Sequence, residues 1–198
     1  ENGTYAENEL YVLRAIKESD KEDYLSIYRA KPEWVSLFQN PLLDVGQTLW
    51  DEFVNPNVLN AVIIRKSDDT FCGYCGLQEF LTEEAPELSI TLVPECRQQG
   101  IGSVVLPMLM KRYADVIGVH QFISKVSPDN LPSQKLMRKL GGTPAGIALY
   151  PCADELFVRV MEESKSPQPE YYTDLAQEFG ATLRKLRSHV LVFRYCVE

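Results

Sequence analysis

Apolar and polar positions along this chain switch between a period of two and a period of three to four, and the switches mark its elements. Leu10 to Ile16 alternates and predicts a first strand. Ser19-Asp20 offers a helix N-cap, and Glu22 and Asp23 put negative charge in the first turn of a helix running to about Tyr28. Pro41 can open a second helix with Leu42, Val45, Leu49 and Phe53 on one face, stopped by Asn55-Pro56-Asn57. Asn60 to Lys66 and Phe71 to Phe80 flank Ser67-Asp68-Asp69-Thr70, which is a hairpin signal. Glu87 to Val93 alternates again. Leu88, Ile90 and Leu92 face one side, and Glu87, Ser89 and Thr91 the other.

A long helix follows, with Ile101, Val105, Leu109, Tyr113 and Val116 spaced by three and four. Pro107 inside it predicts a kink. Gln121 to Ser127 reads as a strand. A short helix then caps at Asp129 or Asn130, tolerates Pro132 in its first turn and ends at Gly141. Gly146 to Pro151 and His189 to Val197 read as the last two strands. Residues 152–188 between them are long for a connection. Leu156 and Val160 space as one helix, Ser164 to Pro169 breaks it, and Thr173 caps another carrying Leu175 and Phe179. These apolar faces predict an insertion that packs on the body as a lid, meets a second subunit or docks as inert decoration.

At 198 residues the chain is expected to form a single domain, 1–198, with 152–188 as a helical insertion. No apolar run approaches the roughly 18 residues that span a membrane. Residues Glu1 to Glu9 are polar and acidic, which does not read as a secretory signal. A net charge of −8 argues against nucleic acid as partner and permits a cationic acceptor. Five cysteines at scattered spacing suggest no disulfide framework and fit a reducing cytoplasm. Cys72-Gly73-Tyr74-Cys75 invites a redox or zinc reading. It lacks a second ligand pair for zinc, and period two places its thiols on opposite strand faces. No metal is expected. His120 and His189, at strand starts, read as edge residues.

Candidate chemistry concentrates where the alternating strand meets the long helix. Arg97-Gln98-Gln99-Gly100-Ile101-Gly102, with Ser103 behind it, is a glycine-rich turn that opens a helix. Such a turn aims free backbone N–H groups and a positive helix terminus at a phosphate or pyrophosphate. Gly100 and Gly102 allow close approach, and Arg97 adds a mobile positive charge. The spacing is neither a dinucleotide fingerprint nor a P-loop.

With Asn130, Ser133 and Lys139-Leu140-Gly141 following in order, the chain resembles the GNAT superfamily of N-acetyltransferases. Its nearest resemblance there is to the ribosomal-protein-alanine acetyltransferase branch. Arg97, Gly100 and Gly102 match the family's Arg/Gln-x-x-Gly-x-Gly/Ala, and Asn130 and Ser133 match its Asn-x-x-Ser/Ala. The resemblance implies an α/β (α+β) fold, with a mixed, mostly antiparallel sheet of about seven strands flanked by helices. It implies acetyl-CoA as co-substrate, held by Arg97 to Ser103, by Leu92 and Val93 of a splayed strand and by Asn130 on the pantetheine.

The acceptor implied is a primary amine, on a small molecule or a peptide N-terminus, with neither nucleic acid nor membrane as partner and a monomer or homodimer as the state. Glu87 resembles a base of that branch and Ser133 a contact to the leaving thiol, and Tyr150 is an alternative acid. Many relatives carry a tyrosine seven residues after the Asn, where this chain has Met137. A CoA-binding regulatory protein without turnover and a Cys72/Cys75 redox protein remain as rival readings.

Overall fold

The protein is described by a computed structural model covering residues 3–55, 58–78, 85–151 and 153–197. The readings that fall on Pro56, Asn57, Glu79, Phe80 and Cys152 lie outside the described residues. The chain divides into two compact units, one running to His120 and including Val197, the other spanning Gln121 to Cys196.

The first unit holds five strands: β1 (Thr4–Glu7), β2 (Tyr11–Arg14), β3 (Leu59–Arg65), β4 (Thr70–Gln78) and β5 (Glu87–Leu92). They lie in that order, each antiparallel to the next. Its helices are α1 (Lys21–Arg29), α2 (Pro32–Phe38), α3 (Val45–Phe53) and α4 (Ile101–Ile117). Tyr24, Leu25, Leu49, Trp50 and Phe53 of α1 and α3 bury themselves against Val62, with Phe71 and Tyr74 of β4 packed on the same cluster. Helix α4 packs on β1, β2 and β5, and its Tyr113 lies beside Cys75. The two sides of this sheet therefore carry different helices. Below α1, buried Asp20 takes both Arg14 Nη groups at 2.7 and 2.8 Å and the Lys17 N–H at 2.7 Å.

Several expectations change. Strand β1 was not foreseen, so the described residues hold eight strands in all rather than about seven. Pro32 opens α2, a helix the periodicity did not flag, and Asp44 rather than Pro41 starts α3 by accepting the Gln47 N–H at 2.9 Å. Leu42 is 89% exposed and belongs to no core face. As expected, α4 is one long helix with Pro107 inside it, and a left-handed Gly118 ends it.

The second unit holds β6 (Gln121–Val126), α5 (Leu131–Lys139), β7 (Thr143–Leu149), α6 (Glu155–Glu163), α7 (Tyr172–Glu178) and β8 (His189–Cys196). Strand β8 lies between β6 and β7, antiparallel to both. The insertion is helical as expected, but its two helices differ. Helix α7 buries Tyr172, Leu175 and Ala176, and Phe179 after it packs edge-on to Phe193 at 5.1 Å. Helix α6 buries nothing and leaves Leu156 and Val160 more than half exposed. Among the described residues no helix is long and apolar enough to cross a membrane.

Candidate active site

Strand β5 ends at Leu92, and a single 3-10 turn at Pro94–Cys96 drops the Cys96 side chain into the interior. The Arg65 guanidinium donates to its sulfur at 3.5 Å. From that anchor the chain climbs through two left-handed residues, Gln98 (φ 59°) and Gly100 (φ 78°), and enters α4. A Cβ at Gly100 would meet only the Ser103 hydroxyl, at 3.8 Å, so the backbone angle and not crowding selects glycine here.

The N–H groups of Gln98, Gln99, Gly100, Ile101 and Gly102 have no acceptor among the described residues. The Ser103 N–H is already taken by the Gly100 carbonyl at 3.1 Å, and the Ser103 hydroxyl donates to the same oxygen at 2.7 Å. Five unpaired donors on a turn that alternates handedness form an anion-binding concavity at a helix terminus. Arg97 stands exposed at its edge, held by its Nε on the Leu92 carbonyl at 3.1 Å.

The backbone just before this turn is partly engaged within the chain. The Val93 N–H donates to the Cys72 carbonyl at 3.0 Å, and the Val93 carbonyl accepts from the Cys96 N–H at 3.0 Å. The Leu92 carbonyl takes the Arg97 Nε, so three of the four backbone groups of Leu92 and Val93 have partners within the chain.

Glu87, Ser89 and Thr91 share a sheet face with Gln78, Gly76 and Tyr74, their cross-strand partners. This is the face that α1 and α3 cover, so the polar stripe borders an aromatic layer. There Tyr74 and Tyr28 join hydroxyls at 3.0 Å, Tyr24 lies 3.4 Å from Tyr28, and Thr91 stands opposite Tyr74 across the strands. Burial pushes the Tyr24 and Tyr28 phenols up to about 12 and Tyr74 further, so all three are neutral donors. The sequence reading missed Tyr28 and Tyr74. The available signals were the i, i+4 spacing of Tyr24 and Tyr28 and the register that sets Tyr74 opposite Thr91.

In the second unit, Asn130 caps α5 by accepting the Ser133 N–H at 3.1 Å, and the Ser133 hydroxyl has no partner among the described residues. The turn before it is tightly tied. Buried Gln134 donates to the Pro128 carbonyl at 2.7 Å and the Ser127 carbonyl at 3.4 Å, and the Ser127 hydroxyl meets the Tyr150 hydroxyl at 2.8 Å. Asp129 Oδ1 accepts from both Tyr172 (2.9 Å) and Tyr171 (3.1 Å). Met137 is core, 4% exposed, with the Tyr195 hydroxyl on its sulfur at 2.7 Å. The structure thus brings Ser133 to Asn130 and Tyr150 to the same turn, and in the first unit it brings Arg97 to Ser103 together and sets Glu87 on its own stripe.

The Cys72/Cys75 reading fails on chemistry. A bulge between Ile63 and Ile64 leaves Cys72 without a partner in the ladder. Strict alternation breaks there, so Phe71 and Tyr74 face the same core and the expected opposition of the two thiols has no basis. Burial raises the Cys72 thiol to about 11, with Cys96 as its neighbour, and raises Cys75 to about 12. A redox pair needs a thiol depressed below its usual value. No group of three or more His, Cys, Asp or Glu residues that could hold a metal exists among the described residues.

The model of the acetyltransferase (GNAT) domain matches residues 11–143. The chain belongs to the GNAT acetyltransferase family. As a GNAT chain it is an N-acetyltransferase by family, and the Gln98–Gly102 turn and Asn130 both fall inside the matched segment. Solved structures agree on the fold. A spermidine N-acetyltransferase from Vibrio cholerae, in complex with CoA and spermine, is 13% identical over 96% of each chain, with a TM-score of 0.62. A ribosomal-protein-S5-alanine acetyltransferase from Vibrio fischeri is 16% identical over 96% of this chain and 94% of that one, with a TM-score of 0.60. A GNAT-family acetyltransferase from Bacillus anthracis is 14% identical over 97% and 96%, with a TM-score of 0.61. No curated protein matches the sequence.

Proposed function

We propose that this GNAT protein transfers an acetyl group from acetyl-CoA to a primary amine, by direct attack within a ternary complex. The observation that carries the reading is the set of five N–H groups from Gln98 to Gly102, unpaired among the described residues and beside Arg97, which suits the pyrophosphate of CoA. Asn130 hydrogen-bonds the pantetheine in this reading, as in the family. The acceptor is a small-molecule amine or a protein N-terminus. The proteins named above include one acting on spermidine and one on a ribosomal protein, so the fold admits both classes.

In the reaction the amine nitrogen forms a bond to the thioester carbon, the carbon–sulfur bond breaks, and the amine proton leaves while the CoA sulfur gains one. Glu87 takes the amine proton, directly or through water, because it heads the one polar stripe on β5. Ser133 or Tyr150 protonates the sulfur. Val93 is not given the oxyanion, since its N–H already serves Cys72. The buried Met137 favours a second reading, a CoA-binding protein without turnover, because the position where relatives carry a tyrosine acid is sealed in the core.

Release of free CoA thiol from acetyl-CoA, measured over a panel of polyamines, amino acids and peptides with free N-termini, separates the two. Acceptor-dependent release is expected. Tight CoA binding with no release from any amine would select the second reading, and no binding at all would remove both.

A further inference from the structure

The insertion does not cover the protein evenly, and its buried half runs along one particular element. Helix α7 is fastened to α5 at both ends. At the C-terminal end, Arg138 of α5 forms a two-pronged ion pair with Glu178 of α7, Nη2–Oε2 at 2.6 Å and Nε–Oε1 at 3.3 Å. At the N-terminal end, the Tyr171 and Tyr172 hydroxyls both reach the single oxygen Oδ1 of Asp129, at 3.1 and 2.9 Å, across more than forty residues of sequence. Asp129 immediately precedes Asn130, the cap of α5, and its own N–H points to the Ser127 hydroxyl that also holds Tyr150. One carboxylate between two phenols is a directional restraint. It fixes the side chain in position and angle, and through it the peptide that orients Asn130.

We propose that Tyr171 and Tyr172 are positioning residues for acetyl-CoA: by clamping Asp129 they hold the 127–130 turn in the geometry from which Asn130 meets the pantetheine and Ser127 orients the Tyr150 hydroxyl. The proposal rests on the assignment of Asn130 to acetyl-CoA made above. It gives α7 a task that α6 lacks, and this fits the burial of the one and the exposure of the other. Tyr172 is suited to the task because burial, followed by the Asp129 hydrogen bond and charge, raises its phenol, so it stays a donor. An inert decoration would need only apolar docking, which Leu175 and Phe179 already supply.

The test compares Tyr172→Phe, Tyr171→Phe and the double variant with the unaltered protein. It measures acetyl-CoA affinity by calorimetry, KM and kcat by thiol release, and melting temperature. The double variant is expected to weaken acetyl-CoA about two- to thirtyfold, with the acceptor KM unmoved. In a double-mutant cycle with Asn130→Ala the losses should fail to add, because the tyrosines act through Asn130. A lowered melting temperature with unchanged affinity, or losses that add, overturns the proposal. Should the double variant not fold, Asp129→Asn, which keeps an oxygen for both phenols, must retain affinity that Asp129→Ala loses. Equal affinity in those two also overturns it. Asn130→Ala alone separates the levels. If it leaves affinity unchanged, the assignment of Asn130 falls and the proposal with it. If it weakens binding while the tyrosine variants do not, only the proposal falls.

Discussion

The turn at Gln98–Gly102 and the turn at Ser127–Asn130 both open a helix, yet they treat their backbone in opposite ways. The first leaves five N–H groups without an acceptor among the described residues and bends through two left-handed residues. In the second, carbonyls, hydroxyls and a carboxylate are held by Gln134, Tyr150, Tyr171 and Tyr172, and the cap is closed by Asn130 itself. Unpaired donors at a surface turn are satisfied by water until an anion replaces it. A turn satisfied by its own protein has its shape before any ligand arrives. In the proposed enzyme, the first turn is therefore a binding device completed by ligand, and the second a rigid presenter of side chains. Taking the proton from the amine belongs to neither.

That last point gives the largest expected effect. Glu87→Gln should lower kcat by about 10²–10⁴-fold while acetyl-CoA affinity stays within about twofold. Calorimetry and thiol release on the same preparation read the two quantities. Near-normal turnover across the neutral pH range would make Glu87 a structural residue and leave the amine proton to water.

The tied turn is sharpened next. Gln134 is 3% exposed and serves two carbonyls from one side-chain nitrogen. Removing it leaves buried acceptors unpaired, so Gln134→Ala should destabilise the protein by about 1–3 kcal/mol in denaturant unfolding. An effect below about 0.5 kcal/mol, the range of neutral surface changes, would mean the turn is not held from within.

The bare turn predicts the reverse, a loss of binding with little loss of stability. Gly100→Asp should weaken acetyl-CoA by at least about tenfold, or 1.4 kcal/mol, because it sets a negative charge beside five donors meant for an anion. Asp and Asn tolerate the left-handed angle better than other side chains. Gly100→Asn is thus the control for bulk and strain, and it should bind more tightly than the Asp variant. Equal affinity for Asp, Asn and the parent glycine would remove the pyrophosphate from this turn.

The contrast between the turns also marks what the sequence could tell. The Gly100 turn was legible because its cause is local: a strand, two glycines, an arginine and a helix lie within a dozen positions. The hairpin of β3 and β4, the long helix from Ile101 and the cap at Asn130 were legible for the same reason. Strand β1 was not, because it is polar, lies at the edge of its sheet and pairs on one side only. The bulge at Cys72 was invisible to a strict period of two, and it sets Phe71 and Tyr74 against the same core. Pro41 looked like a helix start, but the Asp44 side chain takes that role three residues on. Least legible was the Asp129 clamp, since no pattern in residues 127–130 announces two tyrosines more than forty positions away.

The smallest expected effect separates the cap from the ligand contact at Asn130. Its side chain accepts the Ser133 N–H, and losing such a cap costs about 1 kcal/mol of stability. Asn130→Asp keeps an oxygen at that position and should restore the stability that Asn130→Ala loses. It removes the amide donor, however, and adds a charge. If Asn130 both caps α5 and donates to the pantetheine, the Asp variant melts like the parent yet binds acetyl-CoA more weakly. If it only caps, the Asp variant recovers stability and affinity together. Melting temperature and calorimetric affinity, measured on the three proteins, decide between these outcomes. Recovery of both would reduce the second turn to scaffold and leave the ligand to the first.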